Sequence, residues 1–397
     1  MSTTALPQEL IDEIIGSFTA DDKQSLRNCS LVAKSWRTLS QRRLFESIEI
    51  GVQRGAALQP WMNKFSPGDG ILQHVRSLFV ANVSPFQRSR SQVIDPFLRI
   101  HLPSFPQLRR LTFSHENLQL IVQLGALASR HTIKYLCLTR CHTTITTLVT
   151  LINSFPNLLH LQLLDLSSEA VNEPIPPLSR PLQTLSVNEP NTLDDPGILD
   201  QLMALQPQCE GVTISISTFV APSLTQRVIN GVEETVKRLN LRLSLECGSH
   251  ALKILLWSLN ETPYFISDLD EPLTLINCRE LCELEVYCED MEPELVSTIT
   301  SLHIQKITFF QSRLFTEHTL ARIQRKYWAQ LDGSLCRLID RPGYELRLVV
   351  EFRFPGVRRW AGGPLLKEHL PEIHEKGVVR IVDAENDMAV YCSDMTR

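Results

Sequence analysis

A short apolar pattern recurs along most of the chain at a nearly constant interval. Each copy has an apolar residue, two others, an apolar residue, one other residue and a third apolar residue, as in residues 108–113. The steps between the four clearest copies are 25, 25 and 24 residues, and their central leucines are Leu111, Leu136, Leu161 and Leu185. Alternation of this kind predicts a short strand with one face towards the core. A fixed period predicts that every copy forms the same supersecondary unit.

Helix-like segments separate these copies. They cover residues 118–129, 146–155, 197–205 and 228–239, and fainter strand copies follow at 212–214, 239–241, 281–286 and 304–309. One strand and one helix in about 25 residues is typical of a leucine-rich-repeat solenoid. A doubly wound sheet is the alternative for alternating strands and helices. The constant period and the lack of a glycine-rich phosphate turn favour the repeat, so the predicted fold class is α/β, with an irregular leucine-rich-repeat-like horseshoe.

The repeat is degenerate at its turns. Leucine-rich repeats usually have Asn or Cys three residues after the last apolar position, where the side chain hydrogen-bonds the turn. Here only Cys141 fits, and the equivalent position elsewhere is Glu116, Leu166, Pro190 or Glu289.

The first 50 residues have a different, helical pattern. Apolar residues recur at steps of three and four from Leu10 to Phe18, behind Pro7 at a favourable first-turn position. A second helix is predicted to begin at Asp21 or Asp22 and to end near Arg27. A third is predicted to carry four residues along one face: Cys29, Val32, Trp36 and Leu39.

This helical segment resembles an F-box. The matching positions are Leu6-Pro7, Glu9-Leu10-Ile11, Ile14-Ile15, Leu26, Cys29-Ser30-Leu31-Val32, Lys34-Ser35-Trp36-Arg37 and Leu44-Phe45. The resemblance implies docking onto a Skp adaptor, and through it onto the cullin scaffold of an SCF-type ubiquitin ligase. The residues implied for Skp binding are Leu6, Pro7, Leu10, Ile11, Ile14, Leu26, Cys29, Val32, Trp36 and Leu39. The alternative is a helical cap on a leucine-rich-repeat-like binding scaffold that acts outside any ubiquitin ligase.

The remainder of the chain resembles the substrate-binding region of F-box proteins from mushroom-forming fungi. The predicted domains are therefore an F-box module at 1–50, a repeat region at 51–312 and a capping segment at 313–397. Within the last segment, apolar residues alternate from Leu346 to Phe354, which predicts a half-buried strand. The apolar run 378–382 is predicted to pair beside it and to help cover the open end of the repeat.

The strand positions that alternate away from the core form a candidate surface for a protein substrate. The candidates are Arg110, Tyr135, His160, Gln162, Glu283, Glu285 and Tyr287, accompanied by Thr112, Cys137, Thr184 and Ser186. Tyr and Arg are common among interface hot spots. The surface is predicted to change from basic near Arg110 to acidic near Glu283, which suits a partner of complementary charge.

Catalytic and metal-binding motifs are not expected. Cys137, Cys141 and His142 form one cluster and Cys278, Cys282 and Cys288 another, but neither has the second ligand pair of a structural zinc site. No phosphate-binding loop, nucleophile elbow or zinc-protease helix motif occurs. We therefore predict no enzyme activity, no catalytic residue, no metal and no cofactor.

Charge and hydropathy narrow the partner classes and the location. The net charge of −5 argues against nucleic acid as a partner, and no apolar run approaches the length of a membrane span. The N-terminus lacks the pattern of a secretory signal, which predicts a cytoplasmic or nuclear protein without a membrane partner.

Overall fold

The computed structural model divides the chain into two compact units, Met1–Ser179 and Arg180–Arg397. We call them the N-terminal and C-terminal units. The residues that the structure describes are 6–18, 22–52, 72–82, 102, 105–114, 118, 132–168, 174–188, 197–216, 222–243, 273–287, 293–310, 325–345, 347–354, 367–383 and 388–392.

Three helices open the N-terminal unit: α1 (Gln8–Ser17), α2 (Lys23–Val32) and α3 (Lys34–Leu44). Their common core contains Ile11, Ile15 and Leu26, with Phe18, Trp36, Leu39 and Leu44 packed against it. The predicted boundary between the second and third helices was wrong. Cys29 and Val32 belong to α2, because the chain becomes extended only at Ala33 (φ −157°, ψ 163°), which caps the start of α3.

A parallel sheet follows these helices. Its strands, in both spatial and chain order, are β1 (Ser47–Val52), β2 (Ser77–Asn82), β3 (Arg110–Ser114), β4 (Tyr135–Thr139) and β6 (His160–Leu164). A two-residue pair, β5 (His142–Thr143) and β7 (Ser167–Ser168), lies outside this ladder, and the unit also contains a 3₁₀ turn at Leu72–His74 and helix α4 (Ile145–Ser154). The predicted helix at 146–155 is thereby confirmed, whereas the one at 118–129 lies outside the described residues except for Leu118.

The predicted repeat register is confirmed in this sheet. Leu111 pairs with Leu136 and Leu136 with Leu161 across adjacent strands. All three side chains are buried, as expected for a common core row. Because side chains alternate along a strand, a shift of one residue would have exposed the whole row.

The turns after β4 and β6 repeat the same backbone geometry. Arg140 and Asp165, 25 positions apart in the sequence, both have left-handed φ values, 52° and 51°. The buried thiol of Cys141 donates to the carbonyl oxygen of Phe113 on β3 at 3.5 Å. Cys141 therefore hydrogen-bonds the backbone of a neighbouring strand, as expected from its position after the apolar pattern.

The C-terminal unit continues with strands in chain order. They are β8 (Leu182–Asn188), β9 (Cys209–Ile216), β10 (Arg238–Leu243), β11 (Glu283–Tyr287), β12 (Lys306–Phe310), β13 (Val349–Phe354), β14 (Val379–Asp383) and β15 (Met388–Cys392). Adjacent strands are parallel from β8 to β14, and β15 is antiparallel to β14. Neither unit shows, among its described strands, the reversal of order that defines a doubly wound sheet.

Helices separate many of these strands: α5 (Gly197–Ala204), α6 (Pro222–Val232), α7 (Pro293–Ser297), α8 (Arg325–Ile339) and α9 (Pro371–Glu375). The helix predicted at 197–205 is confirmed as α5. The one predicted at 228–239 is wrong in its bounds, because Val232 ends α6 and Leu239 is a buried residue of β10.

The C-terminal segment extends the parallel sheet. β13 pairs with β12 on one side and with β14 on the other, which confirms the predicted pairing of the two apolar runs. Leu348, Val350 and Phe352 are buried, as predicted, but Glu351 on the opposite face is buried as well. The strand is therefore covered on both faces at its centre rather than half-buried. None of the helices in the described ranges has the length and apolarity needed to cross a bilayer.

Candidate functional site

The three-helix module exposes large apolar side chains although it has its own core. Leu6, Leu10 and Ile14 are spaced four residues apart, so they lie along one side of α1 and the residues that precede it. Their exposed fractions are 50%, 45% and 38%. At the end of α2, Leu31 and Val32 are 79% and 65% exposed. These five residues are called the exposed apolar set below.

The residues implied for Skp binding fall into three groups by exposure. Leu6, Pro7, Leu10, Ile14 and Val32 are exposed, and Cys29, Trp36 and Leu39 are partly buried. Ile11 and Leu26 are core residues that the module itself covers, so they present almost no surface of their own. The resemblance did not single out Leu31 for Skp binding, although it is the most exposed of these side chains. Its place in the matching run Cys29-Ser30-Leu31-Val32 was the signal available in the sequence.

On the strand face of the N-terminal unit, one row of side chains forms a stack. Arg110, Tyr135 and His160 occupy matching positions on β3, β4 and β6. The Arg110 guanidinium lies 5.1 Å from the centroid of the Tyr135 ring. The rings of Tyr135 and His160 are stacked 4.0 Å apart at 10°. The predicted surface residues are therefore brought together here, and both ring faces of Tyr135 are occupied.

The next row along the same strands is smaller and less basic. It contains Thr112, Cys137 and Gln162 in register, of which Gln162 is exposed. Burial raises the pKa of Cys137, although Thr139, Arg110 and Thr112 each act to lower it. The row offers hydrogen-bonding groups beside the stack but no reactive thiolate.

Two further cations immediately precede Arg110 and Tyr135 in the chain and were not among the predicted surface residues. Arg109 and Lys134 immediately precede β3 and β4, and their amides donate to Arg76 O and Arg109 O, each over 2.8 Å. Both side chains are exposed. Among the described residues, neither of them nor Arg110 has a carboxylate within ion-pair distance. The only signal in the sequence was the pair of adjacent cations, Arg109-Arg110, and strand alternation assigns just the second of them to this face.

The strand face of the C-terminal unit carries cations next to one of its predicted acidic residues. Glu283 lies in register between Arg238 and Lys306. Glu285 accepts a hydrogen bond from Asn240 Nδ2 over 2.7 Å, and both residues are half-buried. Glu283 is thus a neighbour of two cations, whereas Glu285 lies in register between Asn240 and Thr308. The sequence could not show this, because β10 and β11 are far apart in the chain and the sequence does not reveal their register.

A buried carboxylate on the same strand face is also paired with cations. Glu351 on β13 is 2% exposed and pairs with Lys306 at 3.2 Å and with Arg353 at 2.5 Å. These two cations compensate the charge of the Glu351 carboxylate, which would be strongly unfavourable if it were buried without a partner. Glu351 is therefore a structural part of this face.

An aromatic stack also occurs in the C-terminal unit. Tyr287 and Phe310 are stacked at 3.9 Å, with Arg242 over Tyr287 and Arg353 over Phe310. Burial raises the pKa of Tyr287, and the neighbouring charge of Glu285 raises it further. Tyr287 is therefore a neutral hydrogen-bonding group in this stack. Tyr287 was predicted as a surface residue. The structure shows that Phe310, Arg242 and Arg353 complete the stack around it.

The cysteine clusters have structural positions. Cys278 is buried, and burial raises the pKa of its thiol to about 12. Cys141 bonds the backbone, Cys282 donates to Glu280 O, and Cys288 lies outside the described residues. Over the described part of the chain, no three His, Cys, Asp or Glu side chains are grouped to hold a metal ion. The features that remain are the exposed apolar set on the helices and the stacked side chains on the strand faces.

Comparison with protein-family models and with curated proteins found no match to this chain.

Proposed function

We propose that this protein is a substrate-recruiting adaptor of an SCF-type ubiquitin ligase. In this proposal the N-terminal helices bind a Skp adaptor, which connects the chain to a cullin, and the strand faces bind a protein substrate. The observation that carries the proposal is the exposed apolar set on a helical module with a complete core of its own.

The energetics of these side chains argue for a partner. Fully burying a leucine or valine side chain contributes about 1.5–3 kcal/mol. The five exposed apolar residues do not make this full contribution in the free chain, and a partner that covered them would gain part of it. The module already buries Ile11, Ile15 and Leu26, so the exposed residues are not needed for its core. A row on α1 and a pair at the end of α2 offer a docking surface of the kind that the F-box resemblance implies.

We further propose that the rest of the chain is a leucine-rich-repeat-like solenoid with a C-terminal cap. Parallel sheets usually have both faces covered by helices, whereas β4 and β6 bury one face and leave polar positions on the other partly exposed. The in-register leucines and the Cys141 hydrogen bond support a repeating unit. Such a scaffold presents an extended strand surface to a partner.

The connection between the helices and the sheet is short and hydrogen-bonded. Leu44 ends α3 and Ser47 begins β1, so the predicted boundary after residue 50 falls inside a strand. Between them, Glu46 O accepts hydrogen bonds from the amides of Arg76 and Ser77, both over 2.9 Å. This connection ties the end of α3 to the segment that begins β2, which suits an adaptor that must position what it binds.

The test is reconstitution of the full chain with a purified Skp–cullin preparation. Leu10→Ser combined with Leu31→Ser should weaken binding at least about thirtyfold, since truncating an interface anchor typically costs ~2 kcal/mol or more. The matched control is Ile276→Ser, which changes an exposed apolar residue of the C-terminal unit. We expect it to bind as the unaltered chain does.

Two results would count against the adaptor function. One is a folded full chain that does not bind any Skp adaptor, which would favour the alternative of a binding scaffold outside a ubiquitin ligase. The other is equal binding by the double variant and the unaltered chain, which would place the interface away from the exposed apolar set.

A further inference from the structure

The structure assigns a chemical class to the substrate: we infer that the row Arg110–Tyr135–His160, together with Arg109 and Lys134, the exposed residues that precede β3 and β4, binds a carboxylate-rich acidic segment of a partner protein. We call these five residues the basic edge. The inference rests on the proposed function only in naming that partner as the ligase substrate.

Uncompensated charge is the first argument. Arg109, Arg110 and Lys134 are exposed, and among the described residues none of them forms an ion pair. The carboxylates described elsewhere in this unit include Glu46, which pairs with Arg43 and Arg76, and Asp165, which pairs with Arg140. Consecutive Cα atoms are about 3.8 Å apart and adjacent strands about 4.8 Å, so the three cations start from backbone positions within one Debye length. The positive charges of the three cations would therefore act together on an anionic partner.

The geometry of the stack is the second argument. Tyr135 has Arg110 on one face and His160 on the other, at 5.1 and 4.0 Å. Stacking limits the movement of the guanidinium while leaving its N–H edges able to donate, and planar N–H pairs match the two oxygens of a carboxylate. The row therefore presents preorganised donors, which reduces the ordering cost of binding.

The same stack argues against nucleic acid. Proteins that bind single-stranded nucleic acid stack bases on exposed aromatic faces. Both faces of Tyr135 are already covered within the row, so this ring has no face for a base. A partner that presents carboxylate oxygens, rather than aromatic rings, fits the N–H donors that the row leaves available.

The spacing of the cations favours several carboxylates over a single phosphate. They are distributed over the starts of two strands, β3 and β4, rather than converging from several elements on one point. In an extended peptide, side chains on one side recur about every 6.6 Å, and the long side chains of Arg and Lys can span that interval from backbone positions about 4.8 Å apart on neighbouring strands. A segment with acidic residues at alternate positions can therefore place successive carboxylates along the basic edge.

The experiment measures binding of labelled peptides to the full chain by fluorescence anisotropy. The probe is a fluorescein-labelled peptide of alternating Glu and Ser, compared with the same peptide carrying Gln for Glu, with a phosphoserine peptide of equal charge, and with oligothymidylate. The variants are Arg110→Gln and the pair Arg109→Gln with Lys134→Gln. Arg140→Gln is the control, because it removes an exposed cation from the other end of β4.

We expect the Glu peptide to bind and the Gln peptide not to bind. Each basic-edge variant should raise Kd about tenfold or more, because hydrogen bonds to charged groups contribute about 1.5–3 kcal/mol. The control should change Kd less than about twofold, as expected for an exposed pair. Thermal unfolding of each variant establishes that a lost affinity does not reflect a lost fold.

Three outcomes would overturn the inference. An equal loss of peptide affinity in Arg140→Gln would show a diffuse charge effect. Binding of the phosphoserine peptide alone would make phosphate the ligand. Tighter binding of oligothymidylate than of the Glu peptide would make the ligand nucleic acid. Skp binding is measured on the same variants. Intact Skp binding without peptide binding refutes this inference alone, whereas peptide binding without Skp binding refutes the ligase function alone.

Discussion

Gly231 on α6 lies so close to Met203 on α5 that a Cβ atom added to it would be 2.8 Å from Met203 Cβ and 3.2 Å from its Cα. The second of these atoms belongs to the backbone and cannot move aside as a side chain can. The contact of the two helices therefore depends on the absence of a side chain at this position.

The first prediction follows from this contact. Gly231→Ala should destabilise the protein by about 1–3 kcal/mol, since overpacking outweighs the gain in helix propensity. Gly333→Ala on α8, where an added Cβ meets nothing within 4 Å, should instead stabilise the protein by up to ~1 kcal/mol. Urea unfolding of both variants measures the difference. A stabilised Gly231→Ala protein would show that α5 and α6 are not packed this closely.

The second prediction concerns Glu46. Its carboxylate pairs with Arg43 at 2.8 Å and with Arg76 at 3.1 Å. Partial burial acts to raise the pKa of Glu46, but the two arginines outweigh it and the pKa lies below its ordinary value. A carboxyl with a lowered folded-state pKa stabilises the fold above its unfolded pKa, and this contribution is lost as the pH falls through the folded value.

Glu46→Gln should therefore destabilise the protein by about 1 kcal/mol at pH 7, a figure kept small because the pairs are partly exposed. The difference from the unaltered chain should shrink as the pH falls below the ordinary range of a glutamate. Urea unfolding at neutral and acidic pH measures it, with Glu49→Gln, an exposed glutamate on β1, as control. A difference that stays constant with pH would contradict the ion-pair assignment.

The third prediction tests the repeat register. Leu136→Ala should cost about 2–5 kcal/mol, as for other buried leucines. Gln162→Ala, an exposed position on β6, should change stability by less than about 0.5 kcal/mol. Urea unfolding of the two variants measures the two changes in the free energy of unfolding. Similar small effects at both positions would mean that Leu136 is not part of a packed row.

The fourth prediction concerns thiol reactivity. Cys209 and Cys278 are buried, and burial raises the pKa of each to about 12, so almost no thiolate exists at neutral pH. Native protein treated with iodoacetamide at mildly alkaline pH should leave both cysteines unmodified, whereas the partly exposed Cys29 should react. Mass spectrometry after digestion gives the modified fraction at each site. Rapid modification of Cys278 would place it at the surface.

The sequence alone determines which side chains of each strand face the core. Side-chain alternation is a local property, so the residues of each strand that point inward can be read from a few positions. Alternation likewise assigns Arg110, Tyr135 and His160 to one face of the sheet, where their strands bring them into register. The turn function of Cys141 is also predictable, because it depends on the position that follows the apolar pattern.

Tertiary structure alone decided which apolar residues of the helical module are free. Ile11 and Leu10 are neighbours on one amphipathic helix, yet Ile11 is buried and Leu10 is exposed. Helical spacing shows that a side of α1 is apolar but not how much of that side α2 and α3 cover. The same limit applies to Glu283, whose neighbours Arg238 and Lys306 come from other strands. Their pairing depends on how connecting segments of unequal length bring the strands into register, and no local pattern contains that information.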